Sequence, residues 1–229
     1  MLRSAPGLTA FPVRIGSELF QQARADLGER DDLVVLDPLA GAANLLPAVG
    51  LLHGVVIREL IAVDVDPIVA GIAEANLSLV GPAGLRSRVR ELEPLHEQFH
   101  KESHAGAARS ARNLLRLIEQ RPKSPNTRAV VADSLDADGL RRAVGAAAVD
   151  ISVADVPHGS LTQWINTTPE AEGLAPLHRL LTALAHVTVK DGVAVIASPK
   201  TESVDAPESW VRLRTSAVGH RRLHYFRRR

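Results

Sequence analysis

The chain has 229 residues, 45% of them hydrophobic, 23% charged and 3% aromatic, with a formal net charge of +1 and no cysteine. That length supports one sizeable domain whose core is built from Ala, Val, Leu and Ile, and the near-neutral charge excludes a global pull toward nucleic acid. The missing cysteines exclude disulfides and thiolate metal sites. The opening MLRSAPGLTAFPV lacks an apolar leader core and no run approaches the ~20 apolar residues of a membrane span, so the expectation is a soluble, cytoplasmic protein.

Residues 4–13 carry three Pro/Gly positions and read as an ordered or semi-ordered arm. Ser17 is placed to N-cap a helix whose apolar face is Leu19, Phe20, Ala23 and Leu27, ending near Gly28. A short β-forming run, Leu33–Leu36, then ends in Asp37-Pro38. A Gly/Ala turn through Gly41 follows, and a helix is expected from Asn44 to His53 with Leu45, Val49 and Leu52 on one face. An acidic residue at a strand's carboxyl end, a tight turn and a helix N-terminus make a nucleotide-type site. Unpaired helix N–H groups hold a polar or anionic group, and the carboxylate takes amines or hydroxyls. The same pattern also serves as an ordinary βα turn, and this stretch alone leaves both readings open.

A second strand, Leu60–Val63, ends in Asp64-Val65-Asp66-Pro67. Asp66 before Pro67 is a strong helix start, which leaves Asp64 without a capping duty at the place where a doubly wound sheet binds a ribose diol. The helix is expected to bury Ile68, Ile72 and Leu79. Residues 81–126 break the βαβ rhythm. Gly81–Gly84 reads as a turn, followed by two helices of an inserted hairpin, with Ala107, Ala111, Leu114, Leu115 and Ile118 as the clearest apolar face. His96, His100 and His104 recur at helical spacing there. With no further ligand in view, they read as solvent-exposed or RNA-facing rather than as a metal site.

Strands at Ala129–Ala132, Val149–Ala154 and Val193–Ala197 follow, with helices around Leu140 and Val144 and over Leu174, Leu177, Leu181 and Leu184. From Trp210 the chain supplies two antiparallel edge strands, one within Arg222–Phe226. Seven arginines lie in the last 18 residues (Arg212, Arg214, Arg221, Arg222, Arg227, Arg228 and Arg229), a tail suited to phosphate contact or to a solvated terminus. Four successive strands carry an acid at the carboxyl tip: Asp37, Asp64, Asp133 and Asp155. In an open α/β sheet these tips line one crevice, and four in order point to a cofactor site. No P-loop, HExxH or GxSxG motif competes for the chemistry.

This order of motifs resembles a class I S-adenosylmethionine-dependent methyltransferase. More narrowly, it resembles the AviRa family of avilamycin-resistance enzymes, which modify a guanine of large-subunit ribosomal RNA. The resemblance runs through nearly the whole chain: SAPGLTAFPVR, DPLAG, GLLH, IAVDVDP, GPAGL, VADSLD, DVPHG with Trp164, and Val218-Gly219-His220-Arg221. It implies a doubly wound, mostly parallel seven-stranded sheet of Rossmann-like α/β class in a single domain, residues 1–229, with residues 81–126 as a helical lobe. It implies S-adenosyl-L-methionine as cofactor, with Asp37 and the Gly41 backbone at the methionine end, Asp64 on the ribose and Asp133 at the adenine amine.

Within the DVPHG loop, the resemblance makes Asp155 the acceptor that orients the target amine, Pro157 its rigid neighbour and His158 the base-stacking residue. Arg221, Arg222, Arg227, Arg228 and Arg229 are then the RNA-binding set, no metal is expected, and a monomer is favoured. The implied consequence is resistance to an orthosomycin-type antibiotic. Two positions depart from the family pattern: Ala43 stands where a second glycine is usual, and His158 where Tyr or Phe is usual. They motivate a second reading, an inactive RNA- or partner-binding module that kept the fold; a small-molecule methyltransferase is a third.

Overall fold

The computed structural model describes residues 1–4, 11–157, 164, 175–202 and 204–229. Among these, seven strands form one sheet: β1 (Leu33–Asp37), β2 (Ile57–Asp64), β3 (Asn126–Val131), β4 (Val149–Asp155), β5 (Thr188–Pro199), β6 (Trp210–Val218) and β7 (Arg221–Arg228). Their spatial order is β3-β2-β1-β4-β5-β7-β6. Strands β1 to β5 run parallel, and β7 inserts antiparallel between β5 and β6. The strand order reverses between β1 and β4, and a crevice for ligand opens beyond the carboxyl ends at such a switch point.

The strand sequences explain why both faces are covered. Every residue of β1 is buried, which is how a strand reads when helices lie on both sides of a parallel sheet. Leu33 and Val35 join the core beneath α1 (Val13–Asp26), α2 (Leu45–His53) and α3 (Pro67–Leu77). Val34 and Leu36 join the opposite core beneath α6 (Ala137–Val144) and α7 (Pro176–Ala185). The inserted hairpin is α4 (Pro82–Phe99) against α5 (Glu102–Glu119), and its small core of Leu79, Leu85, Ala111 and Ile118 also receives Met1 and Leu2.

Several local expectations are corrected. The first helix begins after Pro12, not at Ser17; Pro12 is extended and its carbonyl accepts the Gly16 N–H at 3.0 Å. Ser17 instead bonds His53 Nε2 across to α2 at 2.9 Å. Gly81 starts α4 with Pro82 in the first helical position, so Gly81–Gly84 is a helix start rather than a free turn. Gly84 is required there, because a Cβ would lie 2.0 Å from the Ser78 carbonyl oxygen. Ile68 and Leu52 are exposed, and the buried face of α3 is Ala70, Ala73, Asn76 and Leu77. On α5, Ala108 rather than Ala107 is buried.

The three histidines share no helix face. His100 closes α4 in a left-handed conformation (φ 51°), His104 belongs to α5, and His96 Nδ1 bonds the Lys101 carbonyl. No grouping that could hold a metal ion occurs among the described residues. No single helix there is long and apolar enough to cross a membrane. Leu174 lies outside the described residues.

Candidate active site

The four strand-tip carboxylates come together at one end of the sheet, as their positions in the strands require. Asp37 is the last residue of β1 and is 4% exposed. Its Oδ1 accepts the Leu39 N–H at 3.1 Å. Burial pushes its carboxyl from 3.8 up to about 7; the Leu39 N–H works against that shift and the Asp64 charge adds to it. Among the described residues no cation pairs with it.

Asp64 ends β2 and reaches across to the β1–α2 turn. Its Oδ2 accepts the Gly41 N–H and its Oδ1 the Asp66 N–H, both at 2.9 Å. Burial raises its pKa against those two hydrogen bonds. Asp66 caps α3, as its position before Pro67 predicts.

The turn itself is left-handed at two points, Gly41 (φ 53°) and Ala43 (φ 52°). The backbone at Ala43 thus has the conformation that favours glycine. Its methyl, however, is fully buried in the core with Leu45 and Leu46, away from the crevice. Three further bonds hold the turn: Ala40 N–H to the Val63 carbonyl (2.9 Å), Ala43 N–H to the Ala40 carbonyl (2.7 Å) and Asn76 Nδ2 to the Ala42 carbonyl (2.8 Å). Asn76, wholly buried, also accepts the Arg3 N–H (2.7 Å) and donates to the Arg3 carbonyl (2.9 Å), which clips the chain's N-terminal residues to the turn. Sequence reasoning missed this residue. The one signal was a carboxamide on an otherwise Ala/Leu face of α3.

Asp133 follows β3 and accepts the Leu135 N–H at 2.8 Å, while buried Ser134 donates to the Pro38 carbonyl, joining the β3 and β1 loops. Asp155 ends β4. Val156 N–H pairs with the Ala197 carbonyl at 2.9 Å, and Pro157, which has no N–H, ends the ladder. The expectation placed on His158 lies outside the described residues.

Asp155 forms an ion pair with Arg221, a contact that no spacing in the sequence announces. Sheet register produces it. Asp155 pairs with Ala197 on β5, and Arg221 opens β7 opposite Pro199, so both side chains occupy the same end of the sheet. The Arg221 guanidinium also lies over the Phe11 ring, 5.4 Å from its centroid, and burial lowers its pKa.

The other tail arginines are distributed by strand alternation. Arg214 makes a two-pronged contact to Asp26 at 2.7 Å and stacks on Tyr225; Arg212 lies over Phe226. Arg227 donates to the Asp26 carbonyl (3.0 Å), and Arg228 to the carbonyls of Ala185 and Ser209 (3.1 Å each). Arg222 and Arg229 are exposed. At ~3.4 Å per residue, β7 carries Arg227–Arg229 roughly 20 Å from Arg221, to the opposite end of the sheet.

The family model for the rRNA methyltransferase AviRa matches residues 1–221. The chain belongs to the AviRa family. It is 36% identical over 190 residues to a 23S rRNA (guanine(2535)-N(1))-methyltransferase of Streptomyces viridochromogenes, covering 82% of this chain and 76% of that protein. The solved structure of the rRNA methyltransferase AviRa from the same organism superposes with a TM-score of 0.85 at 32% identity, covering 99% of this chain and 88% of that one. TrmN from Thermus thermophilus shares the fold alone, with a TM-score of 0.53 at 17% identity over 97% of this chain and 50% of its own. The family match spans both the β1–α2 turn and the inserted helical pair.

Proposed function

We propose that this AviRa-family protein is a cytoplasmic enzyme, acting as a monomer, that methylates ring nitrogen N1 of a guanine in 23S ribosomal RNA. S-adenosyl-L-methionine is its methyl donor, and resistance to an orthosomycin-type antibiotic is the expected phenotype. The guanine and the large-subunit RNA come from the 36% identical relative, whose chain this one matches over most of its length. The observation that carries the cofactor assignment is Asp37, a buried carboxyl at a strand tip with no cation beside it among the described residues, which suits an ammonium group.

The residues present fit the cofactor. Asp37 would take its amino group, the Gly41 turn its methionine end, Asp64 the ribose hydroxyls and Asp133 the adenine amine. Ala43 leaves the site open, since its methyl packs into the core. When bound, S-adenosylmethionine supplies a methyl group on a sulfonium, already activated for transfer. The protein's own contribution is to orient the base, exclude water and take up a proton.

Asp155 is the acceptor for the base and Pro157 its rigid neighbour, and His158 keeps the base-stacking role that the resemblance implies. Arg222 is the exposed arginine of β7 at the crevice end and contacts RNA phosphate, and the α4–α5 lobe flanks the same RNA. Arg227, Arg228 and Arg229 meet the RNA only where it extends past the far end of the sheet.

The test has two parts. Calorimetric titration with S-adenosylmethionine should give micromolar binding that Asp64→Ala weakens. Primer extension on 23S rRNA incubated with protein and cofactor should stop at one guanine, because an N1 methyl blocks Watson–Crick pairing. Methyl incorporation into small-molecule extracts but not into RNA would replace this reading.

A further inference from the structure

We infer that Asp155 and Arg221 form one unit that reads the Watson–Crick edge of the target guanine, Arg221 donating to O6 and Asp155 accepting from N1–H. The inference rests on the guanine-N1 reading above and assigns Arg221 to the base rather than to a phosphate.

Three observations carry it. First, the pair lies at the carboxyl tips of β4 and β5, in the crevice where the other strand-tip acids gather. Second, the two side chains are 23% and 21% exposed, withdrawn from bulk water yet reachable by a base taken out of its helix. Third, the guanidinium is aimed by packing. Phe11, itself 7% exposed, holds its face.

The polarity of the pair selects guanine. From O6 to N1, the guanine edge runs acceptor then donor, and adenine runs donor then acceptor at the equivalent atoms. A cationic donor beside an anionic acceptor matches the first order and leaves two unmatched contacts against the second, a penalty that discriminates strongly in a partly desolvated site.

The same arrangement suits the reaction. N1 of guanine is an amide-type nitrogen without a free lone pair. The N1–H bond breaks with its proton passing to an Asp155 carboxylate oxygen, and the electron pair left on nitrogen forms the N1–methyl bond. The methyl carbon–sulfur bond breaks with its pair going to sulfur, and the proton then leaves Asp155 for solvent, one per methyl transferred. Negative charge that develops during proton removal is shared with O6, where the Arg221 guanidinium is positioned to hold it.

The experiment uses the full chain, transcribed 23S rRNA and primer extension, with Arg221→Gln, Arg221→Lys and Asp155→Asn. All three should bind S-adenosylmethionine as the parent does. Arg221→Gln and Asp155→Asn should lower kcat by about 10²-fold or more. KM for RNA should stay within about threefold and keep its salt dependence, because no phosphate contact is lost. Arg221→Lys should recover part of the rate, and the rate of Asp155→Asn should climb about tenfold per pH unit as solution base replaces the carboxylate.

A parent enzyme that leaves no stop at a guanine overturns the guanine-N1 reading and this inference with it. A parent stop together with full activity in Arg221→Gln overturns this inference alone, as does an Arg221→Gln variant whose defect is a salt slope reduced by about 0.9. Recovery of guanine methylation by the charge-swapped Asp155→Arg/Arg221→Asp double variant would identify an ordinary ion pair and also overturn it.

Discussion

Asp37→Asn removes a carboxyl that is 4% exposed and whose pKa burial lifts from 3.8 to about 7. In the ligand-free protein the folded state therefore holds a proton that the unfolded chain gives up above pH 3.8. This contribution to stability is complete below pH 3.8 and is lost as pH rises through about 7. At ~1.4 kcal/mol per pH unit, the loss is on the order of 4 kcal/mol.

Cofactor binding has the opposite sign. An α-amino group with a pKa of roughly 7.7–8.0 stays protonated through neutrality and pairs with the ionised carboxylate, so below pH 7 binding expels the Asp37 proton. The Kd for S-adenosylmethionine should weaken about tenfold per unit of acidification between pH 7 and 5.5. Calorimetry at pH 6 in two buffers of different ionisation enthalpy should count close to one proton released per cofactor bound. Asp37→Asn should abolish most of that slope, weaken binding at pH 7.5, and raise the Tm of the ligand-free protein at pH 8 by several degrees with no gain at pH 4. A parent Kd that is flat over this range, with no proton released, would refute the assignment of a buried, cation-seeking carboxyl at this position.

Ala43→Gly exchanges a left-handed alanine, costing roughly 1–2 kcal/mol, against loss of one buried methyl (~0.8 kcal/mol) and a freer unfolded chain (~0.4–1 kcal/mol). Urea unfolding should find it within about 1 kcal/mol of the parent, and titration should find cofactor affinity unchanged; a tenfold gain in affinity would mean the methyl crowds the site after all. Asn76→Ala strands the Ala42 carbonyl and both backbone groups of Arg3. It should cost about 3 kcal/mol, speed amide exchange at residues 1–4 and raise the cofactor Kd together with it. Arg222→Ala should reduce the salt slope of RNA binding by about 0.9, whereas Arg228→Ala, which abandons two carbonyls at the other end of the sheet, should lower Tm first.

The sequence by itself determined what is local and periodic. An apolar run closed by an acid can be read without a partner, so Asp37, Asp64, Asp133 and Asp155 were legible as strand tips, and the βα alternation ordered them along one edge. Asp66-Pro67 declared a helix start because capping involves neighbours two and three residues away.

What the sequence left open depended on contacts between distant segments. Whether Ala43 obstructs the crevice turns on the direction of one Cβ, set by a left-handed backbone and by the core that receives the methyl. The Asn76 clip spans 73 residues to Arg3, and no periodicity encodes a hydrogen bond of that kind. Arg221 in sequence belonged to a basic tail of seven. Only the register of β7 against β5, fixed by which residues must face each core, separates it from Arg227 and Arg228 and delivers it to Asp155. Charge composition is a property of the chain, but the place where a charge acts is decided by the pairing of strands.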